Sequence, residues 1–125
     1  MRVLLDTHIY IWTVLNDRRL PEKFRRMIAD ATEVFVSTAS IWEMSIKAAL
    51  GKLGPREEAT IDALEEQRII PLPVLLAHAR AVRDMPHLHG DPFDRVIVAQ
   101  ARCELLELLT VDAELAAYSA NAFEI

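Results

Sequence analysis

Apolar residues gather along the chain in two kinds of segment. Short runs, "VLL" before Asp6 and "EVFVS" at 33–37, stop abruptly at polar residues, as strands buried inside an α/β sheet do. "RIIPL" at 68–72 and "ELLELLT" at 104–110 read the same way, although "ELLELL" also fits a continuation of the helix before it. Between these runs the apolar positions recur at helical spacing, which predicts helices over 7–15, 21–31, 39–50, 55–67, 73–83, 92–103 and 112–118. Pro21 and Pro73 stand near helix starts and Gly51 closes the third helix, as the conformational preferences of these residues require. Strands alternating with helices predict an α/β fold with a mostly parallel central sheet flanked by helices on both faces. Sheets of that kind place ligands at the carboxyl ends of their strands.

Composition narrows this picture. A chain of 125 residues, 52% hydrophobic, is expected to form one domain over 1–125 with a continuous core. Asp6 and His8 interrupt the N-terminal apolar run before it reaches the length of a signal-peptide core or a membrane span, so a soluble, cytoplasmic protein with no membrane partner is expected. The single cysteine, Cys103, has no intramolecular disulfide partner and is expected as a buried, inert thiol. A net charge of −5 argues against gripping nucleic acid by bulk electrostatics, so such a partner requires local basic patches or a metal. Two patches are available: Arg18, Arg19, Lys23, Arg25 and Arg26, and Lys47, Lys52 and Arg56. Both also read as ordinary solvated helix faces.

The rule about strand ends gives several acidic residues one address. Asp6 follows the first strand, Asp112 follows the last across one residue, Asp94 opens the helix leading into that last strand, and Glu43 lies in the first turns of the helix after "EVFVS". Each has a purely structural alternative. Asp6 and Asp112 suit N-caps, Glu43 can pair with Lys47 at i,i+4, and "DPFD" at 91–94 is a good helix start with Asp91 as cap and Pro92 at the first position. Their convergence is harder to explain that way. Carboxylates about 5 Å apart repel by roughly 3 kcal/mol per ionised pair at an effective dielectric of ~20, so a cluster needs cations or protons. An all-oxygen donor set suits Mg²⁺ or Mn²⁺, and no Cys/His set with zinc spacing is present. His8, His87 and His89 lack a companion motif and read as surface residues or as supports behind the acids.

Taken together, "RVLLDTHIYIW", "STASIWEMSIK", "HGDPFDRVIVAQA" and "TVDAEL" resemble the PIN-domain family, and within it the VapC-type toxins of bacterial toxin–antitoxin pairs. The resemblance runs through nearly the whole chain in order. It implies that Asp6, Glu43, Asp94 and Asp112 form the acidic metal site of a Mg²⁺- or Mn²⁺-dependent endoribonuclease that hydrolyses phosphodiester bonds of RNA. Within it, Asp6 and Asp94 are the expected direct ligands, Glu43 a ligand or water-positioning base, and Asp112 a ligand of a less tightly held ion. Asp91 and Arg95 belong to the same "DPFDR" signature, Asp91 chiefly as the cap that aims the helix presenting Asp94. Thr7 and Thr110 are expected to orient neighbouring carboxylates. One departure is Gly90, where many relatives carry a basic residue. The resemblance further implies a homodimer and a cognate antitoxin that covers the cleft, with Tyr10 and Trp12 as candidate contacts, although core packing suits Trp12 better. A catalytically silent PIN-like binding module is the alternative. A receiver-type phosphoacceptor also fits the length, but the acidic pair after the first strand and the central-strand Asp that it needs are missing.

Overall fold

A computed structural model describes residues 1–85 and 90–121, with side chains to residue 117. His87 and His89 lie outside the described residues. Four strands, β1 (Arg2–Leu5), β2 (Glu33–Ser37), β3 (Ile70–Leu72) and β4 (Glu107–Leu109), form a sheet of order β3-β2-β1-β4 in which every pairing is parallel. Pro71 cannot donate to a ladder, and it sits on β3 at the sheet edge, where that loss is tolerated. The helices are α1 (Thr7–Leu15), α2 (Glu22–Asp30), α3 (Thr38–Ala49), α4 (Pro55–Ala63), α5 (Leu76–Ala81), α6 (Pro92–Glu104) and α7 (Ala113–Asn121). Short 3-10 turns at Leu64–Glu66 and Val82–Asp84 extend α4 and α5.

Alternation along the strands builds two cores. Leu4, Phe35, Leu72 and Leu108 face α6 and α7 through Ile97, Val98, Ala101 and Leu115. Val3, Leu5, Val34, Val36 and Leu109 face the other way, against Ile9, Tyr10 and Met44. Helices therefore cover both faces, and a full burial such as that of Leu4 or Leu5 stabilises by roughly 1.5–3 kcal/mol each.

Three expectations are corrected. The segment 73–75 is not helical; α5 begins at Leu76, because the His78 Nδ1 accepts the Leu75 N–H at 3.0 Å and fixes the helix start there. Gln100 Nε2 donates to the carbonyls of Leu72 and Pro73, each at 3.2 Å, and so takes up acceptors just past the short β3. The run at 104–110 divides: Glu104 ends α6, Leu105 turns the chain in the left-handed region (φ 55°), and only 107–109 is strand. Cys103 is exposed, because it lies on the face of α6 that turns away from the apolar residues of the core.

Candidate active site

The strand order reverses between β1 and β4: β1 has the next strand in sequence, β2, on one side and the last strand, β4, on the other. A crevice outside the carboxyl ends of the strands is the usual result. Asp6 follows β1 directly, and its N–H continues the ladder by donating to the Leu109 carbonyl at 3.1 Å. Its Oδ1 accepts from the Ile9 N–H at 2.9 Å and caps α1. Asp112 stands beyond β4 and caps α7, with Oδ1 accepting from Glu114 N–H at 2.9 Å and Leu115 N–H at 3.3 Å. Asp91 caps α6 by accepting from the N–H groups of Phe93 (2.8 Å) and Asp94 (3.3 Å). That places Asp94 in the first turn of α6. Glu43 pairs with Lys47 at 3.6 Å on α3. The local structural roles read from the sequence are real.

They do not exhaust these residues. Asp6, Glu43, Asp94 and Asp112 line one cleft of about 330 Å³, together with Thr7, His8, Lys47 and Asp91. Burial is the largest influence on the Asp6 carboxyl and raises it above the ordinary aspartate range. The charge of Asp112 adds to this, while the Thr110 hydroxyl, the Ile9 N–H and His8 act the other way. Asp6 and Asp112 thus sense one another across the cleft floor. Thr110 Oγ1 accepts from the Asp112 N–H at 3.0 Å and hydrogen-bonds the Asp6 side chain, which ties the two acids together. Thr7 Oγ1 stands 3.0 Å from Glu43 Oε1 and 2.9 Å from the buried Ser40 Oγ, so the Glu43 carboxylate is held from α1 as well as from its own helix. Ser40 was not singled out from sequence, and the cleft-lining Lys47 was read only as a partner of Glu43 and a member of a basic patch. Both lie three or four positions from Glu43 on α3, a spacing that shares a helix face.

Asp6, Glu43, Asp94 and Asp112 offer oxygen donors only, which fits a hard divalent cation. Buried Asp6 adds a charge that ionises at a cost without one. Among the described residues no three Asp, Glu, His or Cys side chains form a group already closed around an ion site. Two contact expectations also meet the structure here. Tyr10 is fully buried, its hydroxyl donating to the Thr60 carbonyl at 2.7 Å, so it offers no surface to a partner. Trp12 is half-buried and packs against the core from the outside.

A parallel α/β sheet bearing a carboxylate-lined cleft at its switch point defines the class. The chain belongs to the PIN domain family, whose model matches residues 3–121. A sequence search against curated proteins gave no significant match. Solved structures match over nearly the whole chain. A chain of VapBC2 from Rickettsia felis, crystallised with a DNA fragment from its promoter, aligns with a TM-score of 0.71 at 13% identity, covering 94% of this chain and 93% of that one. VapC20 of Mycobacterium tuberculosis, a toxin described as cleaving the sarcin-ricin loop, aligns at 0.66 and 15% identity, covering 92% and 93%. FitAcB from Neisseria gonorrhoeae aligns at 0.57 and 23% identity over 100% of both chains. At these identities the likeness is one of fold.

Proposed function

We propose that the protein is a metal-dependent endoribonuclease, the toxin of a toxin–antitoxin pair, that hydrolyses phosphodiester bonds of RNA at the cleft formed by Asp6, Glu43, Asp94 and Asp112. The observation that carries this reading is their gathering: four acids from four separate segments line one cleft at the carboxyl edge of the sheet. Capping by Asp6 and Asp112, the place of Asp94 in the first turn of α6 and the Glu43–Lys47 pair account for the acids singly and predict no common cleft.

Asp6 and Asp94 are assigned as holders of Mg²⁺ or Mn²⁺, with Glu43 and Asp112 completing the donor set. When bound, the ion supplies neutralisation of phosphate charge and a more acidic water. Glu43, steadied by Thr7, positions the attacking water and receives its proton on the carboxylate. Lys47 at the rim places a positive charge toward the phosphate. Asp91 acts through α6: by capping it, the side chain fixes the direction from which Asp94 enters the cleft. In the net reaction water adds to phosphorus, one P–O bond breaks, and a proton reaches the leaving oxygen.

Partners follow from the same reading. A cognate antitoxin is assigned to the cleft, where an Arg or Lys of its chain would pair with the carboxylates in place of the metal. A homodimer has a candidate contact in Trp42, Ile46 and Leu50, an exposed apolar stripe at i,i+4,i+8 along α3.

Purified protein is expected to cleave RNA with Mg²⁺ or Mn²⁺ and to stop in EDTA. Asp6→Ala or Asp94→Ala should lower the rate by on the order of 100-fold or more, since both charge neutralisation and water activation are lost. Undiminished cleavage in EDTA would overturn the metal mechanism. Failure to cleave with any divalent ion, in protein that still binds RNA or a neighbour-encoded peptide, would assign the chain to the catalytically silent binding module instead.

A further inference from the structure

A cleft lined by Asp6, Glu43, Asp91, Asp94 and Asp112, in a chain of net charge −5, is a poor place for a polyanion to land. Divalent ions held by these acids would neutralise the phosphate being cut and leave the neighbouring nucleotides without a hold. The surface beside the cleft offers one. His8, two residues past Asp6, is exposed and forms part of the cleft wall. One turn along the same face of α1 its ring meets that of Trp12, with centroids 5.9 Å apart and planes inclined at 50°. Beyond Trp12 the Arg19 guanidinium lies over the indole, 5.3 Å from its centroid. These three groups form a continuous line of flat, π-bearing surfaces that starts in the cleft.

The far end of that line is built rather than loose. Asp17 grips Arg19 with both carboxylate oxygens, Nη2–Oδ2 at 2.8 Å and Nε–Oδ1 at 3.1 Å, and also accepts the Arg19 N–H at 2.9 Å. These bonds hold the Asp17 carboxyl down at about 2, so the clamp stays ionised. Arg25 reaches from α2 to Asn16 Oδ1 at 2.6 Å and binds the end of α1 to the basic start of α2. Between residues 17 and 30 five basic side chains stand against three acidic ones, a local excess opposite in sign to the whole chain. Arg18 projects from the same turn into solvent.

We propose, resting on the ribonuclease reading, that the face of α1 running from His8 through Trp12 to Arg18 and Arg19 is the track along which unpaired RNA nucleotides enter the acidic cleft. Aromatic platforms interleaved with arginine are the means by which proteins hold single strands, because every base has a face to stack and every linkage a phosphate. A duplex keeps its bases stacked on each other and offers this surface only its backbone. Trp42, on α3, differs in kind. It is 64% exposed but sits edge-on to Phe93 at 5.1 Å and is followed by Ile46 and Leu50, with no cation over its ring among the described residues. Those neighbours suit a protein surface, not a nucleic acid.

Trp12 and Trp42 are the only tryptophans, so each can be read alone. Trp42→Phe and Trp12→Phe proteins are titrated with a short unstructured oligoribonucleotide in EDTA, where binding is observed without cleavage. Fluorescence of the Trp42→Phe protein should be quenched saturably and that of the Trp12→Phe protein should not. The same oligonucleotide annealed to its complement should quench neither. His8→Ala, at an exposed position, and the double variant Arg18→Ala/Arg19→Ala should each weaken binding by about 10-fold, as loss of one stacking or phosphate contact does. Quenching of Trp42 alone, equal quenching by duplex, or unchanged affinity in both variants overturns the track, and so does quenching of Trp12 only by a protein partner. These readings are independent of activity. A protein that cleaves RNA but fails them keeps the ribonuclease function and loses the track, whereas saturable quenching of Trp12 in a protein that cleaves nothing retains the track and refutes the ribonuclease.

Discussion

At the scale of single residues, Asp6 shows how one side chain serves two demands. As a cap it offers Oδ1 to the Ile9 N–H, a task that Asn performs about as well. As a cleft acid it carries a charge that burial opposes, with Asp112 adding to the cost. Its carboxyl in the folded protein therefore holds a proton to higher pH than in the unfolded chain. The sign follows: the Asp6 contribution to stability is fully present below the ordinary aspartate range and is lost as pH rises through the raised folded value. In EDTA, Asp6→Asn keeps the cap and removes the ionisation, so the variant should melt above the wild type at neutral pH. The gap should close as the solution is acidified to the ordinary aspartate range. Thermal melts of both proteins across pH measure it; a gap that persists at low pH would remove Asp6 ionisation as the cause. Asp6 was legible in the sequence because it directly follows an apolar run. Its bond to Thr110 was not legible, since in sequence Thr110 neighbours Asp112, and the bond depends on β1 and β4 lying side by side although their residues are more than a hundred positions apart.

Elements were read best where side chains announce their ends. Asp91 and Pro92 start α6, and the Ser37 hydroxyl accepts the Ala39 N–H at 3.0 Å to start α3 directly off β2. Ends set by side chains inside the helix were not legible: α5 starts at Leu76, where His78 captures the Leu75 N–H, and not at the expected Pro73. The α6–β4 junction is the clearest case. Leucine is a poor residue for a left-handed turn, yet Leu105 adopts φ 55° so that the Leu106 N–H reaches the Ala101 carbonyl at 2.9 Å and the chain enters β4. That conformation costs a non-glycine residue about 1–2 kcal/mol, and the side chain is 72% exposed, so little burial repays it. Leu105→Gly should relieve the strain, against roughly 0.5–1 kcal/mol for the extra freedom of glycine in the unfolded chain. A net gain of about 0.5 kcal/mol is expected in urea melts, whereas Leu105→Ala keeps the strain and should give none. Equal stability of the two variants would mean that the turn holds no such strain. The junction bears on the site because it joins the helix that presents Asp94 to the strand that precedes Asp112.

At the scale of the molecule, the candidate site joins parts of the chain that have little else in common: the start of α1, the middle of α3, the start of α6 and the cap of α7. A cation shared among them cross-links the folded state and has no equivalent in the unfolded chain. Its stabilisation should therefore follow mass action, about 2.7 kcal/mol at a free concentration 100 times the dissociation constant. For a chain of this length that is a rise of about 10 °C in Tm. Metal-free protein carries the mutual repulsion of the carboxylates instead, so Asp94→Asn in EDTA should melt above the wild type. Adding Mn²⁺ should reverse that order, raising the wild type strongly and the variant much less, because the variant has lost a ligand. If the acids were caps and surface pairs only, Asp94→Asn would lose a favourable interaction with the α6 dipole, typically 0.3–1 kcal/mol, and Mn²⁺ would shift neither protein. The two accounts differ in the sign of the metal-free change and in the presence of any metal response. Four melts decide between them, and a less stable variant beside a wild type indifferent to Mn²⁺ would reduce the shared cleft to a coincidence of helix starts.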